Sequence, residues 1–331
     1  MDNKELLRHL GYANGLYNSK TGKLINFTVQ PSFTSKKSFL KLCELQKKLN
    51  LLYFNLSKNL DEFIFPDPFY QFLYSVYKEK NKKKENICTF LIRSDYLLDE
   101  NSQIHSLLYK NTEISENENT TPNTTNYVEK TLIIDLLLKD NINIVYCKIT
   151  DLRIDNGSVY IRDKHVCIVY YRWFYNLEQF DSNSKQIFFE LEISNVISLP
   201  SVEFRMINNK FFQVELAKKD VLKKYTTDYE ELSDYFTEFK TTDAFNLEKY
   251  DQSNWVFKTV LEGGNSINLK NSEGFFMKKI ISPTVDNAFI YENKMKKMIN
   301  EISTFGSFIA INNKIIHNDK DGYLVMVVLI L

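Results

Sequence analysis

Apolar residues recur at three- and four-residue steps early in the chain. Phe39, Leu42, Leu45, Leu49 and Leu52, with Lys and Glu on the other face, predict an amphipathic helix over 36–60. A second helix is predicted over 69–79, started after Pro68, whose missing N–H costs nothing at a helix start. Lys80 to Glu85 reads as a solvated connector. Ile87 to Ile92 is predicted as a short buried strand that ends in Arg93-Ser94-Asp95-Tyr96. Ser115 to Asn126 is nearly free of apolar residues and reads as a loop, and helical character resumes over Val128 to Leu138.

Strands are predicted next. Asn143–Ile149, Ser158–Ile161 and His165–Tyr171 follow one another, with Asp155-Asn156-Gly157 as a hairpin turn, because Asn-Gly tolerates positive φ. Arg172 to Tyr175 comes directly after a strand, where α/β folds place ligand-binding groups. Lys185–Asn195 is predicted as a helix that ends near Pro200. Further strands are Trp255–Lys258, Phe275–Ile281, Phe305–Ile311 and Tyr323–Leu331, and an amphipathic or frayed segment is placed after Ile281.

Composition narrows the class. The 331 residues carry 42 Lys+Arg against 42 Asp+Glu, a net charge of zero that disfavours a dedicated nucleic-acid binder. Nine Gly and six Pro fall well below the roughly 23 and 17 of average usage, so each remaining Gly carries more weight. Asn, Lys, Ile and Tyr are abundant, which weakens inference from any single one. Cys43, Cys88, Cys147 and Cys167 form no C-x-x-C pair, so no zinc site is expected. Cys167, in an apolar run, is expected to be buried. With no apolar h-region and no membrane-length apolar stretch, the expected location is cytoplasmic.

The strongest chemical pattern is Lys258…Glu262-Gly263-Gly264-Asn265. A Lys at a strand end offers a point charge to phosphate, paired Gly let backbone N–H groups approach an anion, and a Glu can hold Mg²⁺. The competing reading is a Gly-Gly hairpin with surface charges. Arg93 and Arg172 each follow an apolar run and suit capture of carboxylate or phosphate, or else an ion-paired strand end. His9, His105, His165 and His317 show no ligand spacing, and neither Ser-His-Asp nor Cys-His chemistry is supported.

Seven motifs, in order, resemble the eukaryotic-type glutathione synthetases, which are ATP-grasp ligases. Phe39-x-x-Leu42-x-x-Leu45-Gln46-x-x-Leu49-Asn50 is similar to F-x-x-A-x-x-L-Q-x-x-F-N, and Arg93-Ser94-Asp95-Tyr96 to R-S-D-Y-M. Val169 to Tyr175 resembles V-Y-F-R-x-G-Y, and Pro200 to Glu215 keeps Lys210, Gln213 and Glu215 in register with G-T-K-K-V-Q-Q-E. Lys258 to Ser266 is a shortened K-P-Q-R-E-G-G-G-N-N. Phe276 to Ile280 resembles L-M-E-K-I, and Glu301 to Gly306 resembles E-L-G-I-F-G.

The resemblance implies an α/β ATP-grasp fold with an intervening α/β substrate domain. Its parts would be an N-terminal helical and ATP-grasp part (1–127), the substrate-binding domain (128–210) and a C-terminal ATP-grasp part (211–331). It implies ATP-dependent joining of γ-glutamylcysteine to glycine through an acyl phosphate, with ATP and Mg²⁺ as cofactors, a homodimer, and neither nucleic acid nor membrane as partner. By the same resemblance Arg93, Arg172 and Tyr175 would bind the dipeptide. Lys210, Lys258, Glu262, Gly263, Gly264, Asn265, Met277, Ile280 and Glu301 would bind ATP, and Asn111 and Glu262 the metal. Several positions depart from the family. Tyr109 stands where E-I-N-T has its Glu, and Lys278 replaces the Glu of L-M-E-K-I. Met326 and Val328 replace the Arg and Lys of G-x-L-L-R-T-K, and the closing Gly- and Ala-rich loop has no counterpart, as in a C-terminally truncated member. Two functions therefore stand side by side: a divergent glutathione synthetase, or a catalytically degenerate relative serving as a nucleotide-binding or partner subunit.

Overall fold

The computed structural model of the protein describes residues 3–18, 21–31, 34–83, 87–99, 104–111, 127–172, 174–241, 254–259, 274–291, 294–319 and 325–330. After the amphipathic helix α1 (Asn3–Ala13) comes α2 (Lys36–Ser57), capped by the Ser35 side chain, which accepts the Ser38 N–H. Leu42, Leu45, Leu49, Leu52 and Leu56 of α2 are buried, as the periodicity requires. In α3 (Pro68–Lys80), Pro68 opens the helix and Asp67 caps it.

The central sheet joins the two ends of the chain. β1 (Ile87–Leu98) pairs antiparallel with β2 (Ile104–Asn111) on one side and with the 16-residue β12 (Lys296–Ile311) on the other. Between them in sequence run α4 (Tyr127–Lys139), the meander β3 (Leu152–Asp155), β4 (Ser158–Ile161) and β5 (Lys164–Val166), then β6 (Ile168–Tyr170), α5 (Ser182–Glu192) and β7 (Ile197–Leu199). Four short helices follow: α6 (Val202–Ile207), α7 (Lys210–Leu216), α8 (Lys219–Tyr225) and α9 (Tyr229–Ser233). β8 (Phe239–Thr241), β9 (Trp255–Thr259) and β10 (Gly274–Lys278) form a separate three-stranded sheet with β10 in the middle. β11 (Val285–Asn287), β13 (Lys314–Asp319) and β14 (Val325–Ile330) all pair with β12.

The two faces of the central sheet differ. Phe90, Ile92, Tyr96, Ile302, Thr304 and Phe308 lie on the face that packs against α2, with Phe90 and Phe308 stacked 4.9 Å apart. Gln46 and Asn50 of α2 are fully buried there: Asn50 accepts from Gln46 at 3.0 Å, and the Thr304 hydroxyl lies 2.9 Å from Gln46 Oε1. Gly306 sits under both amides, and a Cβ there would come within 2.4 Å of Asn50 Oδ1 and 2.7 Å of Gln46 Nε2. The F-x-x-L-x-x-L-Q-x-x-L-N helix is thus locked to the F-G step of β12. Gly306→Ala should destabilise by about 1–3 kcal/mol, because hydrogen-bonded neighbours have nowhere to move; thermal unfolding checks it.

Polar ties hold the short helices. Lys48 pairs with Asp228 at 2.9 Å, and Glu231 accepts from both Lys41 and Lys48, fastening α9 to α2. The Lys41 hydrogen bond, then the Lys48 one, holds the Glu231 carboxyl below its usual pKa. Its stabilisation is complete above the unfolded value of about 4.3 and is lost as pH falls through the lower folded value. Both partners are about one-third exposed, so the effect is about 0.2–1 kcal/mol. Glu231→Gln should lower Tm slightly at pH 7 and leave it unchanged at pH 2.

Several elements differ from expectation. The strand at Ile87 does not end before Arg93 but continues through Leu98. Residues 143–148 make no ladder pairs, and the strand that meets the Asn156-Gly157 turn is Leu152–Asp155 instead; Asn156 and Gly157 do take φ of 49° and 79°. Cys167 is exposed, because the chain changes sheets there, between β5 and β6. The frayed segment proves to contain β11 and the first half of β12. None of residues 131–139 of α4 is buried, and Leu132, Leu136 and Leu138 are more than half exposed. The Ser115–Asn126 loop lies outside the described residues. No helix among the described residues is long and apolar enough to cross a membrane.

Candidate functional site

On the face of the central sheet turned away from α2, strand alternation places Arg93, Asp95 and Leu97 of β1 beside Phe305, Ser303 and Glu301 of β12. Ile299 continues that row. In the three-stranded sheet, Phe275 pairs with Lys258 and Met277 with Val256 and Phe239, so Lys258 and Met277 share one face. The two faces meet where Met277, Leu97 and Ile299 pack together, with Phe239 and Ile280 against them. Glu301, in register with Leu97, borders this contact. Gly274 stands opposite Thr259, where a Cβ would come 2.3 Å from the Lys258 carbonyl.

Lys210 approaches the same place from another direction. It is the first residue of α7 and is buried, and its ammonium donates to the Thr259 carbonyl at 3.2 Å. A helix start disfavours a cation, so the helix does not explain the charge. Five expected ATP residues (Lys210, Lys258, Met277, Ile280 and Glu301) therefore gather at one junction between two sheets. Glu262, Gly263, Gly264 and Asn265 lie outside the described residues. The backbone of Asn111 stands opposite Ile92, next to the Arg93–Lys110 pair. Among the described residues no group of three His, Cys, Asp or Glu side chains could hold a metal ion.

The dipeptide residues fall into two places. Arg93 donates to Asp95 through Nε (2.8 Å) and Nη2 (2.9 Å), a two-pronged pair within one strand. Asp95 is almost wholly buried and also accepts the Ser303 hydroxyl at 2.7 Å. Sequence reading missed this anchor, although an i, i+2 Arg–Asp pair on a strand shares one face. Asp95→Asn should cost about 1.5–3 kcal/mol by removing the charge that faces the guanidinium, seen as a lower denaturant midpoint.

Arg172 follows β6 and lies over the Tyr170 ring, with Nη1 donating to the Tyr170 hydroxyl at 2.8 Å. Phe174 then adopts φ of 76° at the position where V-Y-F-R-x-G-Y has Gly, a conformation that costs a side chain about 1–2 kcal/mol. Stacking on Phe180 at 4.3 Å offsets part of that cost. Tyr175 comes next, its ring 5.8 Å from the guanidinium of Arg205. Arg205 was not anticipated. It sits with Glu203 in α6, a six-residue helix buried throughout, and two charges in so short an apolar run were the available signal.

Two sheets meeting at a junction beside the buried Lys210 and the half-buried Lys258 are those of an α/β fold of the ATP-grasp type. A family model for the eukaryotic glutathione synthase ATP-binding domain matches residues 10–327, and the chain belongs to that family. A chloroplastic glutathione synthetase of Arabidopsis thaliana is 23% identical over 225 residues, which are 58% of this chain and 42% of that protein; the match thus spans under half of the relative. The solved apo structure of a glutathione synthetase-like effector from Globodera pallida shares the fold. Its TM-score is 0.74 at 14% identity, covering 99% of this chain and 94% of that one.

Proposed function

We propose that this chain is an ATP-dependent peptide-bond-forming ligase of the glutathione synthetase type, joining γ-glutamylcysteine to glycine. The observation that carries the reading is the junction of Lys210, Lys258, Met277, Ile280 and Glu301. Two ammonium groups suit a polyphosphate, and the apolar Met277–Ile280 corner beside a carboxylate suits adenine and ribose. Arg93, fixed by Asp95, and Arg172 with Tyr175 receive the dipeptide. Residues 128–210 act as its substrate domain, between the 1–127 and 211–331 parts. Glu262 and Asn111 would hold Mg²⁺, which would neutralise phosphate charge, and Gly263, Gly264 and Asn265 would bind ATP. A cytoplasmic homodimer completes the reading.

One observation favours the second function, a nucleotide-binding subunit with little turnover. Met277 is only 4% exposed and already touches Leu97 and Ile299, so adenine must displace the wall of its own slot. Incubation with Mg·ATP, γ-glutamylcysteine and glycine separates the two. Stoichiometric ADP and glutathione are expected from a ligase; nucleotide binding without either product indicates the subunit.

A further inference from the structure

The two sheets of the nucleotide junction touch through three apolar side chains. Leu97 of β1, Met277 of β10 and Ile299 of β12 are 5%, 4% and 8% exposed, and they form a cluster of their own with Phe239 and Ile280 against it. The large core, which gathers α2, α3, α5 and the short helices, includes none of the described residues of β8, β9 or β10. Those strands pack among themselves: Phe239 meets Phe275 at 5.4 Å on one face, and Phe257 meets Phe276 at 5.2 Å on the other. Lys210 of α7 adds a polar tie, donating to the Thr259 carbonyl at 3.2 Å. A sheet packed within itself, resting on its neighbour through a small separate contact, is a unit that separates at low cost.

The contact lies where an apolar ring would enter. Met277 and Ile280 make the apolar corner, and Glu301, in register with Leu97, borders it. Lys258 stands opposite Phe275, two residues or about 7 Å along β10 from Met277, so the charge is set apart from the contact. Methionine suits a removable filler, because its unbranched side chain has three rotatable bonds and adapts to irregular gaps.

We propose that the Met277–Leu97–Ile299 contact is a latch on the nucleotide junction. It shuts the corner that would take the base, and a nucleotide enters only when the three-stranded sheet or the Met277 side chain moves off Leu97 and Ile299. The latch rests on the nucleotide junction, which the ligase and the subunit readings share. It adds that affinity is set by the fraction of molecules whose contact is open. A slot wall and a latch respond oppositely to truncation. A wall touches the bound ring, so cutting it back weakens binding. A latch stabilises the shut state, so cutting it back shifts the population toward the open one and strengthens binding.

The test is calorimetric titration of the full chain and of Met277→Ala, Ile299→Val and Met277→Leu, each with Mg·ATP and with Mg·tripolyphosphate, which carries the charges without the base. Met277→Ala is expected to bind Mg·ATP about three- to thirtyfold more tightly than the unmodified chain, and Ile299→Val about two- to fivefold. Met277→Leu keeps the apolar bulk and should stay within about twofold of the unmodified chain. Tripolyphosphate should bind all four proteins equally. Circular dichroism checks that each is folded, and Ile299→Val, which removes one methylene, carries the test if Met277→Ala unfolds. Weaker or unchanged Mg·ATP binding in the truncated variants would make these residues an ordinary wall, overturning the latch and sparing the nucleotide reading. An equal gain for tripolyphosphate would overturn it too, by showing a general loosening. Mg·ATP that binds none of the four proteins would remove the nucleotide reading, and the latch with it.

Discussion

Lys80→Met should destabilise the protein by about 3–5 kcal/mol, enough to unfold a chain of ordinary stability. Lys80 ends α3 with its side chain almost wholly buried, and its ammonium lies 2.9 Å from Glu203 Oε2 and 3.5 Å from Glu192 Oε2. Both carboxylates are buried too, at the end of α5 and within α6, and Glu192 also accepts the Val202 N–H. Burial alone would lower the Lys80 pKa, but the charges of Glu203 and Glu192 outweigh it and raise it, so the lysine stays charged across the neutral range. The Cys88 thiol in the same core is pushed up to about 12 by burial and stays protonated. Removing the cation would leave two carboxylates facing each other in the interior. The triple change Lys80→Met, Glu192→Gln, Glu203→Gln should recover much of the loss, since an uncharged core need not compensate a buried charge. A Lys80→Met protein with an unchanged urea midpoint would show that the cluster contributes nothing.

The second large effect concerns nucleotide. Each charge-assisted contact to a phosphate is worth about 1.5–3 kcal/mol, so Lys258→Ala should weaken Mg·ATP binding about ten- to hundredfold. Lys210→Met, which preserves most of the buried volume, should do the same. The double variant should lose on the order of 10²–10⁴ if the two act independently. Circular dichroism of each variant separates lost affinity from lost structure.

The elements that followed from pattern were those with one apolar face and one wet face. α2 is the clearest, because its leucines repeat at helical spacing and meet a sheet. The first half of β12 escaped because each of its faces mixes apolar and polar residues, Met298 and Ile302 with Asn300 on one and Ile299 with Glu301 and Ser303 on the other, whereas its second half, Phe305–Ile311, was predicted. Arg93-Ser94-Asp95 looked like a strand end because charge normally marks solvent, whereas here Asp95 is buried by its pairing with Arg93 and Ser303. Cys167 looked buried because its sequence neighbours are apolar, but it sits where the chain leaves one sheet for another. At the site, the ordered motifs singled out Lys210, Lys258, Met277, Ile280 and Glu301, positions that border one junction between the two sheets. The i, i+2 spacing of Arg93 and Asp95 on one strand was legible in principle, but the burial of Asp95 was not, because it comes with the Ser303 hydroxyl on the neighbouring strand.

The most direct test of the nucleotide junction is calorimetric titration of Mg·ATP into the full chain and into Lys258→Ala. Saturable binding to the unmodified protein is expected, with affinity at least tenfold weaker in the variant. No binding to either protein, or equal binding to both, would contradict it.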